Sequence, residues 1–106
     1  MNFNDYPIVS LPIGNIKYLL YVADTNERNH LGLSGVKKIL KTSGMLFPYD
    51  DEKPRTFQFR DTLIPLTVYF IGSEGKVLQK SIAKPGGPPI HCSKPSKYVI
   101  EVPAGV

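Results

Sequence analysis

Several stretches of the chain alternate apolar and polar residues, or run apolar on both faces, at the two-residue period of a β-strand. In residues 16–23, IKYLLYVA, Ile16, Tyr18, Leu20 and Val22 fall on one face, with Leu19 and Tyr21 on the other. Both faces are largely apolar, which predicts a central or doubly covered strand. Residues 55–60, RTFQFR, send Phe57 and Phe59 inward with Arg55 in the same parity, and Thr56, Gln58 and Arg60 to the opposite face. Residues 66–71, LTVYFI, place Leu66, Val68 and Phe70 together. The tetrad Gly72, Ser73, Glu74, Gly75 then predicts a hairpin turn with a partner strand over 76–84. Met45 to Phe47 make a short apolar run closed by Pro48, a polar turn spans 49–54, and YVIEV at 98–102 is the last predicted strand.

Helical signals are brief. Asp24 or Thr25 can cap a turn over 25–30 that Gly32 stops. A second short helix is predicted near 35–42, with Val36, Ile39 and Leu40 inward and Lys37, Lys38 and Lys41 in water. Residues 1–15 read as an irregular arm preceding one β-rich domain over 16–106. Residues 84–97 hold Pro85, Pro88, Pro89 and Pro95 and predict a long surface loop. The fold class expected is mostly β, a β-rich α+β domain. It would be one small antiparallel sheet, partly closed and barrel-like, with one or two short helices.

Composition narrows the setting. A chain of 106 residues with 42% hydrophobic and 21% charged residues is an ordinary globular domain. The ten prolines and nine glycines are spread out as turns between short elements. The formal net charge of +4 comes from scattered lysines without a run of five or more like charges, so it points to solubility before an anionic partner. Cys92 is the single cysteine and excludes an intrachain disulfide. The start of the chain has no basic stretch, and its apolar residues are broken by Pro7, Pro12 and Gly14, unlike a signal peptide. No apolar run approaches the ~20 residues of a membrane helix. An intracellular, cytoplasmic protein without membrane association is expected.

Ordered pieces of the chain resemble the domain-of-unknown-function family 192. The first is Ala23, Asp24, Thr25, Glu27, Arg28, Gly32 and Leu33; Gly44 to Phe47, a Gly-Met-Leu-Phe run, comes next. Then come Phe57 with Asp61, Thr62, Leu63, Ile64, Pro65 and Leu66, and a hairpin with Phe70, Ile71 and Gly75. Cys92 stands in the late loop, and the ending Tyr98 to Gly105 fits Tyr-Val-x-Glu-x-Pro-Ala-Gly. The likeness covers about 17–105. It departs at Ser34, Gly35 and Val36, where members have Met and Arg, at Gln58 and Phe59, where they have Trp-Met, and at Asp61, which replaces Asn. The resemblance implies a compact β-rich fold and carries over no catalytic residues. Members continue past Pro-Ala-Gly to a closing strand. An open sheet edge is therefore expected here, covered by the arm 1–15 or by a second copy in a homodimer.

The densest polar constellation is Arg55, Gln58, Arg60, Asp61 and Thr62. A guanidinium fork with an amide and a hydroxyl can hold a carboxylate or phosphate. His91 and Cys92 offer an imidazole and a thiol, but neighbours on an extended chain point apart, and neither Cys-x-x-Cys nor His-x-x-x-His zinc spacing occurs. Asp50, Asp51 and Glu52 lack calcium-loop spacing, and Gly86-Gly87 lacks a phosphate-loop pattern. Tyr18, Tyr21, Tyr69 and Tyr98 with strand lysines suit single-stranded nucleic acid, but most of these rings alternate as core residues do, so nucleic acid is disfavoured. The expected function is a non-enzymatic module, without cofactor or metal, that binds a small polar or anionic ligand or a protein partner near Gln58 to Thr62. The alternatives are a small enzyme using Cys92 or His91, and single-stranded nucleic-acid binding.

Overall fold

A computed structural model describes residues 3–104. Its elements are β1 (Ile8–Ile13), β2 (Ile16–Val22), α1 (Asn26–Leu31), β3 (Ser43–Phe57), β4 (Leu66–Ile71), β5 (Val77–Ala83) and β6 (Ile90–Pro103). The six strands form one sheet in the order β1-β2-β3-β6-β4-β5. The expected mostly β class holds, with two corrections. The sheet is mixed, because β2 and β3 run parallel while every other pair is antiparallel. It is also open, since β1 and β5 are edges and do not pair with each other. A parallel neighbour requires a crossover, and residues 23–42 supply it by carrying the chain over one face through α1.

The segment expected as an irregular arm contributes β1. Gly14, at φ +60°, and Asn15 make a two-residue turn, after which Ile13 faces Ile16 and Ile8 faces Tyr21. Pro12 is tolerated because β1 is an edge strand. What was expected to cover an open edge is thus itself an edge.

The predicted helix over 35–42 does not form. Gly32 and Gly35 take φ of +53° and +77°, which breaks the helical path on both sides of Leu33. Val36 is still buried, while Leu40, assigned inward at helical spacing, is 73% exposed.

The long loop expected at 84–97 ends at residue 89, because β6 begins at Ile90 and becomes a central strand between β3 and β4. Prolines are accommodated by irregularity. The register of β3 against β6 shifts between Pro48 and Lys53 and again before Arg55, and neither Pro54 nor Pro95 takes a register position there. The supposed turn at 49–54 is this bulged middle of β3.

Cores lie on both faces of the sheet. The larger gathers Met45, Phe47, Val68, Phe70 and Val99 from the strands, with Leu33 and Phe59 from the connections above them. The smaller packs Tyr18 and Leu20 against Ile100 and Val102. Phe57 and Phe59 do point inward, although β3 ends at Phe57.

Candidate functional site

Beyond Phe57 the chain leaves the sheet and turns. The N–H of Thr62 donates to the Phe59 carbonyl at 3.1 Å, closing a turn around Arg60 and Asp61. The Gly35 N–H donates to the Asp61 carbonyl, and the Gly86 N–H to the Thr62 carbonyl, both at 3.0 Å. These bonds hold residues 58–62 opposite α1. The helix is set by Thr25, whose hydroxyl accepts from the Arg28 N–H at 3.1 Å, and by Gly32, whose N–H donates to the Arg28 carbonyl at 2.9 Å. A Cβ on Gly32 would lie 3.4 Å from the Phe47 ring, so the helix end comes down close on the sheet.

A cleft of about 340 Å³ opens between these two walls. Asn29 to Ser34 line one side, and Thr56, Gln58, Arg60, Asp61 and Thr62 the other. Phe47, Tyr49 and Phe57 bring aromatic surface, and Glu101 completes the lining. Arg60, Asp61 and Gln58 are exposed at the mouth, whereas Thr62 and Glu101 are 5% and 4% exposed at the deep end.

Glu101 is the unexpected member. In register it faces Met45 on β3 and Val68 on β4, both fully buried apolar residues of the larger core. Removal from water alone pushes its carboxyl up to about 8, so it is mostly protonated at neutral pH. Among the described residues, nothing hydrogen-bonds or ion-pairs with this carboxyl or with the Thr62 hydroxyl. Neither is sealed away, since both retain contact with the cleft. Tyr49 is also held up by desolvation, against a hydrogen bond from its hydroxyl to Asn29 Oδ1 at 3.1 Å and the nearby Arg55 charge, both of which lower it; the Glu101 carboxylate raises it.

The residues singled out in the sequence divide into three groups. Gln58, Arg60, Asp61 and Thr62 come together at the cleft. Arg55 does not line it. Its guanidinium is buried in the bulge, donating from Nε to the Ser96 carbonyl at 2.9 Å and from Nη2 to Asp51 Oδ1 at 2.7 Å and the Asp51 carbonyl at 2.8 Å. His91 and Cys92 are apart from the cleft. His91 Nδ1 and Thr56 Oγ1 are 2.7 Å apart on the surface, which joins His91 to the outer wall indirectly. Cys92 is 0% exposed, with Sγ 3.8 Å from the Lys94 carbonyl and 3.7 Å from Ser96 Oγ, a packed core thiol. Among the described residues no three histidine, cysteine or carboxylate side chains converge as metal donors.

Sequence reasoning passed over Glu101, Tyr49 and Asn29. Glu101 did carry a signal, because it is the one charge in the apolar stretch YVIEV and shares the parity of Val99. An acid that alternation sends into a core needs a reason to be there. Tyr49 and Asn29 lie 20 residues apart and carried none.

Comparisons with known proteins agree on the fold and leave the chemistry open. The model of domain-of-unknown-function family 192 (DUF192), described as an uncharacterized ACR, matches residues 10–106. A protein from Sinorhizobium meliloti 1021, described as a candidate transcription regulator, superposes with a TM-score of 0.85 at 25% identity, covering 94% of this chain and 83% of its own. A protein of unknown function from Novosphingobium aromaticivorans DSM 12444 superposes with a TM-score of 0.77 at 21% identity, covering 97% of this chain and 85% of its own. No curated protein matches the chain.

Proposed function

The chain belongs to the domain-of-unknown-function family 192, and from that premise we propose that it is a small-ligand-binding module. Its site is the cleft between α1 and residues 58–62. One observation carries this reading: two polar side chains, Thr62 and Glu101, are more than nine-tenths buried and reach toward the cleft, without a partner among the described residues. Both groups open onto the cleft and lack a protein partner among the described residues, so a ligand that enters it can hydrogen-bond to them. Exposed Arg60 and Gln58 at the mouth suit the polar or anionic end of such a ligand. The description of the Sinorhizobium meliloti relative as a candidate regulator suits a module that senses a small effector.

A thermal-shift panel of small carboxylates, phosphates, sugars and amines, run on the wild type and on Arg60→Ala, tests this reading. At least one compound should raise the melting temperature by a few degrees, and by less on the variant. A panel without any shift, or an Arg60→Ala response equal to that of the wild type, removes the site. The alternative of an enzyme built on Cys92 has less support, because that thiol is enclosed in the core away from the cleft.

A further inference from the structure

Resting on the reading of the cleft as a binding site, we infer that its deep end takes the primary ammonium group of a small amino-acid-like zwitterion, held against Glu101 and Thr62 while the ligand's carboxylate meets Arg60 and Gln58 at the mouth.

A partner for Glu101 can come through the cleft, onto which its carboxyl opens. Its register partners Met45 and Val68 offer neither donors nor charge, and the hydroxyl of nearby Tyr49 donates to Asn29 instead. Of the groups a small ligand could bring, an ammonium gains most. It forms a charge-assisted hydrogen bond with the carboxylate and leaves a further N–H for the Thr62 hydroxyl. Phe47, Tyr49 and Phe57 add apolar surface to the lining against which the ligand's carbon chain can pack. Arg55 does not compete as the counter-ion, because its guanidinium is engaged by Asp51 and the Ser96 carbonyl. The charge of opposite sign is on Arg60, an exposed residue of the lining. Asp61 beside it offsets part of that charge and leaves Gln58 to share the carboxylate.

Binding of an amine would ionise Glu101 and release its proton. The other titratable groups around the cleft are His30 on α1, Tyr49 on β3, and Arg60 and Asp61 on the connecting segment. On β4, the residue facing Glu101 is non-ionisable Val68.

The test uses three matched probes, norvaline, butylamine and butyrate, titrated into labelled protein and followed by NMR at neutral pH. Norvaline should bind most tightly, and Glu101→Gln should weaken norvaline and butylamine by about tenfold or more while sparing butyrate. Arg60→Ala should weaken norvaline and butyrate while sparing butylamine. The Glu101 carboxyl carbon of the wild type should move to its ionised position as either amine saturates, a readout that does not depend on a variant folding. An unmoved carboxyl resonance, equal binding of butyrate and norvaline, or no shift with either amine overturns the inference. Cleft shifts caused only by a neutral or anionic compound of the thermal-shift panel would overturn the amine assignment and keep the cleft as a binding site. Absence of any response across that panel overturns both.

Discussion

The guanidinium of Arg55 lies 3.5 Å from the centre of the Tyr49 ring, inside the bulge where β3 and β6 change register. The same side chain reaches across to the Ser96 carbonyl and back to Asp51, four residues earlier. One arginine therefore spans both sides of the irregularity and backs an aromatic residue of the cleft wall. Its 8% exposure places it in the structural framework rather than at the mouth.

Arg55→Ala should destabilise the domain by about 2–4 kcal/mol, through the lost carbonyl bond, the lost stacking and the space left behind. Arg55→Lys should recover little of this, because an ammonium cannot stack and fork at once. Urea denaturation of the three proteins checks both statements.

Glu101 gives the stability a pH dependence of defined sign. Its folded value, about 8, lies above the ordinary 4.5. Below the lower value both states hold the proton and the group is neutral in effect. Between the two, the unfolded chain releases a proton that the native state keeps, so stability falls as pH rises, and the loss levels off above about 8. Glu101→Gln should remove that slope and be the more stable protein at pH 8.5, by on the order of 5 kcal/mol. Melting curves of both proteins from pH 5 to pH 9, taken as about the range that brackets the transition, would show parallel profiles if Glu101 titrates normally.

Gly44 is required by backbone proximity. A Cβ there would collide with the Glu101 carbonyl oxygen and come within 2.8 Å of Val102 Cγ1. Gly44→Ala should force β3 and β6 apart and cost about 2–4 kcal/mol, visible as a lower denaturation midpoint. Gly14→Ala meets no atom within 4 Å and should cost only the strain of its φ of +60°.

The Cys92 thiol should resist a soluble disulfide reagent in native buffer and react at the rate at which the protein opens. Fast stoichiometric labelling of the folded protein would contradict its burial and restore the thiol as a chemical candidate.

Much of the framework was legible because alternation is a local signal. Phe57 with Phe59, and Leu66 with Val68 and Phe70, were assigned inward from parity, and the Gly32 stop from its chemistry. One stretch of the cleft lining was legible locally, since Gln58, Arg60, Asp61 and Thr62 are nearly consecutive and reach it on one turn. What failed depended on distant partners. Nothing near Leu20 says that it will lie beside Gly44 in parallel. Pro48, Pro54 and Pro95 read as strand breakers, until two strands with matching irregularities are set side by side. Arg55 resembled a ligand residue because its partners, Ser96 and the Tyr49 ring, are invisible from its neighbours. The Gly14-Asn15 turn does carry a local signal, a hairpin dipeptide between two apolar runs.

The central position of β6 has a kinetic consequence. β1, β2 and β3 form one paired group and β4 with β5 another, and β6 is the strand that pairs with both. It follows all of them along the chain. On a ribosome, β1 with β2 and β4 with β5 can form hairpins, but the two groups have no common seam until residues 90–103 emerge. Assembly must therefore wait for long-range closure, which puts this small domain among the slower folders, on the scale of milliseconds to seconds. Until then its half-built edges are open to chaperones.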